Sequence, residues 1–250
     1  MKEAKRYAFL DVIRGFTVIS MIFYHGVWDL VYIFGFDWPW YRSVEGVFWQ
    51  QSICWTFIFL SGFCQPLGSS GFRRGGKVFL AGALVSVSTL LIMPENRVIF
   101  GVLTLIGSCM LLLRVFERFM GKMNPNLGFI LSMTMFLFFR DVSLGYLGFF
   151  SRSLLALPQQ WYRNLFTAYL GFPTKTFYSA DYFPLLPWFF LFTAGYFFFR
   201  MMERWEISPD FQGVRLPCVE WTGRNSLPIY LIHQPALYGI FRLWFSLGAR

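Results

Sequence analysis

Long apolar runs constrain the fold of this 250-residue chain more than any other feature. A helix needs about 20 apolar residues to cross the ~30 Å hydrocarbon core of a bilayer. Charged residues make up only 14% of the chain, against about 25% in soluble domains, so most of the surface is expected to face lipid. The sequence therefore predicts an all-α, polytopic transmembrane helical bundle that forms a single domain over residues 1–250. Its spans, about seven, are expected near residues 9–34, 46–67, 76–93, 98–119, 124–143, 183–202 and 226–246.

The net charge of +9 is spread in short groups of Lys and Arg between the apolar runs. This distribution is typical of topology signals and of contacts with anionic membrane lipid, and it does not favour a nucleic-acid partner. Most of the basic residues fall on one side if the N-terminus is cytoplasmic. Residues 140–182 then form a long outer segment, in which an interfacial or re-entrant piece is a better interpretation than another crossing.

Metal-binding residues are scarce. The four cysteines have no CxxC spacing, and the chain contains only two histidines. The sequence therefore predicts no metal site.

The first apolar run carries four polar residues that each cost free energy inside a membrane: Asp11, Arg14, His25 and Asp29. At 100° per residue, all four fall on one helical stripe about 60° wide. Such a stripe is expected to face the protein interior or a water-filled cavity.

The stripe contains two pairs of residues, and each pair has its own interpretation. His25 and Asp29 are four residues apart, so the carboxylate could fix the imidazole tautomer, and we assign both as catalytic. Asp11 and Arg14 could instead form a structural ion pair at the inner interface.

The last apolar run opens with Arg224, Asn225 and Ser226, a pattern that suits either a phosphate site at a helix N-terminus or plain capping. Further along, His233 and Gln234 precede Pro235, which is expected to kink the helix. They are candidates for substrate binding, or they satisfy the kink.

Asp181 and Trp188, at the outer edge of another predicted helix, are also assigned to substrate binding. Asp181 could approach Asp29 or a substrate amine. The Trp188 ring also has the character of an interface anchor.

Five motifs, in this order, carry a family resemblance: LDVIRG, YHGVWDL, FLSG, DYFPLLPW and GRNSLPIYLIHQP. They resemble the bacterial relatives of heparan-alpha-glucosaminide N-acetyltransferase, within a wider group of transmembrane acyltransferases that includes the acyltransferase-3 enzymes. The resemblance implies a protein of the bacterial inner membrane. His25 matches the family's catalytic position, and Arg14 matches an arginine implicated in handling the donor.

The reaction implied by the resemblance moves an acyl group, expected to be acetyl, from cytoplasmic acyl-coenzyme A to a glycan or glycolipid on the far side of the membrane. Direct transfer and an acyl-histidine intermediate are both open, as are N- and O-acylation and a homo-oligomeric state. The alternative function is a proton-coupled transporter or lipid flippase that uses the same Arg, His and Asp stripe.

Overall fold

A computed structural model describes residues 7–68, 71–150, 152–207 and 215–248. Helices dominate this part of the chain, as the sequence predicts, and one short β-hairpin is added to them. The helices are α1 (Ala8–Tyr32), α2 (Val44–Phe63), α3 (Gly71–Ile92), α4 (Val102–Met120), α5 (Pro125–Phe139), α6 (Leu165–Leu170), α7 (Leu185–Arg204), α8 (Pro217–Arg224) and α9 (Ser226–Gly248); the strands are β1 (Tyr146–Phe149) and β2 (Arg152–Ala156).

The helices fall into two compact units. One unit comprises residues 58–207 and contains α3 to α7 with the hairpin. The other comprises residues 6–57 together with the C-terminal residues from 208 onward, and it contains α1, the first part of α2, α8 and α9. We call them the central unit and the terminal unit.

The terminal unit has an apolar core between α1, α2 and α9. Val18 and Met21 of α1 pack with Ile53 of α2, and Ile229 and Tyr230 of α9 cover the same cluster. At 100° per residue, Val18 and Met21 fall on the same side of α1 as its polar stripe, so the core adjoins the stripe. The core therefore fixes the rotation of α1 and the direction in which its polar residues point.

The central unit is built on close helix pairs. At Gly82 of α3 an added Cβ would meet the backbone nitrogen of Thr104, and at Gly107 of α4 it would overlap the backbone of Phe79. Small residues that let two helix backbones approach are typical of membrane proteins. The opposite side of α3 exposes more than half of each side chain in a stripe formed by Leu80, Leu84, Val87 and Leu91.

Within the described ranges, four segments are long and apolar enough to cross a membrane by length and composition: Ala8–Tyr32, Gly71–Ile92, Pro125–Leu144 and Leu185–Arg204. The other three predicted spans coincide with α2, α4 and α9. Each of these helices carries polar residues, for example Arg114, Glu117 and Arg118 in α4. The seven-span count and the cytoplasmic N-terminus stay predictions.

Residues 140–182, predicted to be an outer segment, contain a hairpin between Tyr146 and Ala156, with β1 antiparallel to β2 and a bulge after Leu147. At about 3.3 Å per residue, strands of this length extend over only about half of the ~30 Å bilayer core. Val142, Leu147 and Leu157 anchor its base in a small apolar cluster. The hairpin therefore adds no further helical crossing within residues 146–156.

Candidate active site

Two polar groups lie on α1 in the terminal unit. The histidine cluster consists of His25 and Asp29 of α1 with His233 and Gln234 of α9. The ion network consists of Asp11 and Arg14 of α1 with Glu220 and Arg224 of α8. Eleven residues separate Arg14 from His25, which corresponds to roughly 16 Å along a helix at 1.5 Å per residue.

A hydrogen bond between α1 and α9 holds the histidine cluster together. The side-chain nitrogen of Gln234 donates to Oδ1 of Asp29 across 2.5 Å. Asp29 is completely buried. The bond therefore satisfies one of the two oxygens of a carboxylate that has no access to solvent. Among the described residues the His25 imidazole makes no hydrogen bond with Asp29, and the partner of the carboxylate is Gln234 from the facing helix.

The two histidines of the chain contact each other. The ring centroids of His25 and His233 are 4.9 Å apart and the ring planes are inclined by 58°. His25 is half-buried, whereas only 9% of His233 is exposed. The sequence assigned these residues to different roles, and the structure brings their rings together.

The backbone fixes the tautomer of His233. Its Nδ1 lies 2.6 Å from the carbonyl oxygen of Tyr230. A carbonyl oxygen only accepts hydrogen bonds, so Nδ1 carries the proton and donates it. In the neutral ring, Nε2 therefore presents a lone pair.

Three buried side-chain atoms of the cluster have no hydrogen-bond partner among the described residues: Asp29 Oδ2, His233 Nε2 and Gln234 Oε1. All three are hydrogen-bond acceptors. An unpaired buried polar group costs about 1–3 kcal/mol, and three in one cluster are unusual for a purely structural core. The arrangement suits a ligand that supplies N–H or O–H groups.

The ion network pairs two guanidinium groups with two carboxylates. Arg14 lies 3.0 Å from one oxygen of Asp11, which confirms the predicted ion pair, and Arg224 lies 3.4 Å from the other. Arg224 also contacts Glu220 at 3.0 Å. Formal charges cancel across the four residues, so the network offers no net positive charge to a phosphate.

Glycines bring α1 and α8 into backbone contact at the ion network. A Cβ at Gly15 would overlap the carbonyl oxygen of Val219, and a Cβ at Gly223 would overlap that of Asp11. No larger residue fits either position without separating the helices. This close approach lets Arg224 reach Asp11.

The turn between α8 and α9 uses its polar residues within the backbone. The Asn225 side chain donates to the carbonyl of Trp221 at 2.9 Å, so it completes the end of α8 instead of capping α9. Ser226 is the first residue of α9. The Asn225 side chain therefore does not form the predicted cap of α9, and the phosphate site at this position stays a prediction.

Asp181 and Trp188 lie in the central unit, and each has a structural partner there. Asp181 accepts a hydrogen bond from the backbone N–H of Val102, the first residue of α4. Burial raises the pKa of Asp181 to about 6, and the bond from Val102 opposes that shift. Trp188 packs its ring against Phe136 and Phe183.

Comparison with known protein families shows which family the chain belongs to. The family model for the catalytic region of heparan-alpha-glucosaminide N-acetyltransferase matches residues 6–235. The chain belongs to this family. No curated protein and no solved structure matches it. Membership in this acetyltransferase family, together with the four apolar helices, identifies an integral membrane protein and a transferase.

The sequence alone did not predict the parts that Glu220, Gly15, Gly223 and Tyr230 play in the site. Glu220 is almost fully buried. Its position four residues before Arg224 was the sequence signal for an ion pair between the two side chains. Gly15 and Gly223 belong to no polar pattern, and they come together only when α1 and α8 pack. The role of the Tyr230 carbonyl is a property of the backbone and leaves no trace in side-chain chemistry.

Replacing Arg224 with glutamine tests its structural role. Glu220 loses its partner in the described network and stays buried, so the free energy of unfolding is expected to fall by about 1–3 kcal/mol, less than for a fully buried pair because the Arg224 side chain is 42% exposed. Thermal unfolding in detergent measures this loss. The double variant Glu220→Gln/Arg224→Gln is expected to recover part of it. Unchanged stability with weaker acetyl-coenzyme A binding would instead indicate a phosphate ligand.

Proposed function

We propose that this protein transfers an acyl group, most simply acetyl, from cytoplasmic acyl-coenzyme A to an amine or hydroxyl of a glycan or glycolipid on the far side of the membrane. The donor is a substrate, and the site is the histidine cluster. The bacterial inner membrane is the location we propose, in line with the family resemblance. Family membership favours this function over a transporter or lipid flippase.

The observation that carries the proposal is the set of three unpartnered acceptor atoms beside a half-buried imidazole. An acceptor amine or hydroxyl brings the N–H or O–H groups that such atoms bind. These groups are also the nucleophiles that attack a thioester carbonyl. The same contacts would therefore bind the acceptor and orient its reacting atom.

Within this proposal, His25 is the group that meets the thioester. It acts either as a general base toward the acceptor or as a nucleophile that forms an acyl-histidine. Asp29 would bind the acceptor through Oδ2 while Gln234 holds Oδ1. Arg14 and Arg224 would keep α1 and α8 together instead of binding the donor's phosphates.

The direct test is transfer by purified protein in lipid nanodiscs. Radiolabelled acetyl-coenzyme A is supplied with glucosamine-terminated glycans, and with matched glycans that carry only hydroxyl groups. Label transferred to either acceptor supports the proposal, and the preference between them separates N- from O-acylation. No transfer to any acceptor, with no thermal stabilisation by millimolar acetyl-coenzyme A, would refute it.

A further inference from the structure

The second histidine of the cluster has features that the roles assigned so far do not use. His233 is held by the Tyr230 carbonyl through Nδ1, is almost entirely buried, and keeps an unpartnered lone pair on Nε2. Its ring contacts His25. A structural core histidine would ordinarily use both nitrogens in hydrogen bonds.

We infer that His233 is the proton acceptor of the reaction, so that the two histidines divide the chemistry between them. His25 meets the acyl group, and His233 Nε2 takes the proton from the attacking atom of the amine or hydroxyl. This inference rests on the proposed function and assigns its proton transfer to a specific atom.

The hydrogen bond at Nδ1 suits this role. When Nε2 gains a proton, the ring becomes a cation whose Nδ1–H donates more strongly to the Tyr230 carbonyl, because hydrogen bonds from charged donors are stronger than neutral ones. The carbonyl also prevents the ring from presenting its other nitrogen.

The proton and electron balance is complete without another reactant. In direct transfer, the acceptor atom bonds to the carbonyl carbon as its proton moves to His233 Nε2, and the C–S bond breaks with its electron pair on sulfur. The proton then passes to that sulfur and releases the thiol. If an acyl-histidine forms, the His25 nitrogen first bonds to the carbonyl carbon as the C–S bond breaks with its electron pair on sulfur, and the N–H proton of the acylated imidazole passes to that sulfur to release the thiol. In the second step the acceptor atom bonds to the carbonyl carbon as its proton moves to His233 Nε2. The bond between the carbonyl carbon and the His25 nitrogen breaks with its electron pair on that nitrogen, which then receives the proton from His233.

The decisive variant is His233→Asn. An asparagine amide can still donate to the Tyr230 carbonyl, but it has no basic lone pair. We expect kcat to fall by about 10²–10⁴-fold, the usual contribution of a positioned base, with little change in the KM for acetyl-coenzyme A. Added imidazole should restore part of the activity, because it supplies the missing base.

Two controls keep the result interpretable. His233→Gln provides a second variant without a basic nitrogen in case the asparagine protein does not fold. Ile232→Ala alters a neighbouring side chain that is 63% exposed, and its kcat should stay within twofold of the wild type.

The outcomes separate the two proposals. A wild-type protein that transfers acyl groups, combined with a folded His233→Asn variant that keeps its kcat, overturns the role of His233 alone. That role is also overturned if activity is lost and imidazole restores none of it in either variant. A wild-type protein that transfers nothing to any amine or hydroxyl overturns the proposed function and this inference together.

Discussion

Replacing His25 with alanine is expected to lower kcat for acyl transfer by at least about 10²–10⁴-fold, since the variant loses the imidazole that meets the thioester. The fold should tolerate the change, because His25 is only half-buried and contributes ring contacts with Tyr24 and His233. Initial rates in nanodiscs, measured beside a thermal unfolding curve, test both statements.

Phe23→Ala is the matched control on the same helix. Its side chain is 65% exposed, so its removal should leave transfer unchanged. If His25→Ala retains full transfer, the assignment of His25 fails. If an acyl-enzyme accumulates in the wild type without acceptor and disappears in His25→Ala, the nucleophilic route gains direct support.

Replacing Gly223 with alanine is expected to lower the free energy of unfolding by about 3 kcal/mol, toward the upper end of the usual cost of overpacking. The added methyl group would overlap the Asp11 carbonyl oxygen, and that atom belongs to a helix backbone that cannot change rotamer. The helices must separate, which also lengthens the contact between Arg224 and Asp11.

Gly239→Ala is the control for this effect. It lies inside α9, and a Cβ there would meet nothing within 4 Å. This variant should be as stable as the wild type or slightly more stable, because alanine is the better helix former by about 1 kcal/mol. Equal unfolding temperatures for the two variants would contradict the tight contact between α1 and α8.

Helical periodicity was sufficient to predict the most informative part of the site. The polar stripe of α1 exists, Asp11 pairs with Arg14, and His25 and Asp29 both face α9 residues. A single helix has a fixed geometry, so the angular positions of its residues follow from their numbers. The joint membership of His233 and Gln234 in the cluster depends on how two helices pack, and no spacing rule supplies that.

The remaining differences also arise from contacts between distant segments. Residues 146–156 lie in an apolar stretch, yet they form a hairpin and not a helix. The hairpin has a bulge after Leu147 and a small apolar cluster at its base. Asp181 caps α4 from a segment nearly 80 residues away. Arg224 finds two carboxylates because Gly15 and Gly223 permit a backbone contact, and the spacing of charges along the chain does not reveal that approach.

The carbonyl of Tyr230 holds Nδ1 at one edge of the His233 ring, so the ring cannot flip between the two halves of a catalytic cycle. A proton collected at the free edge must leave from the same edge. The incoming nucleophile and the departing thiol would then exchange protons with the same nitrogen, His233 Nε2. Competition between the thiol product and the acceptor is the kinetic pattern that such a shared nitrogen would produce.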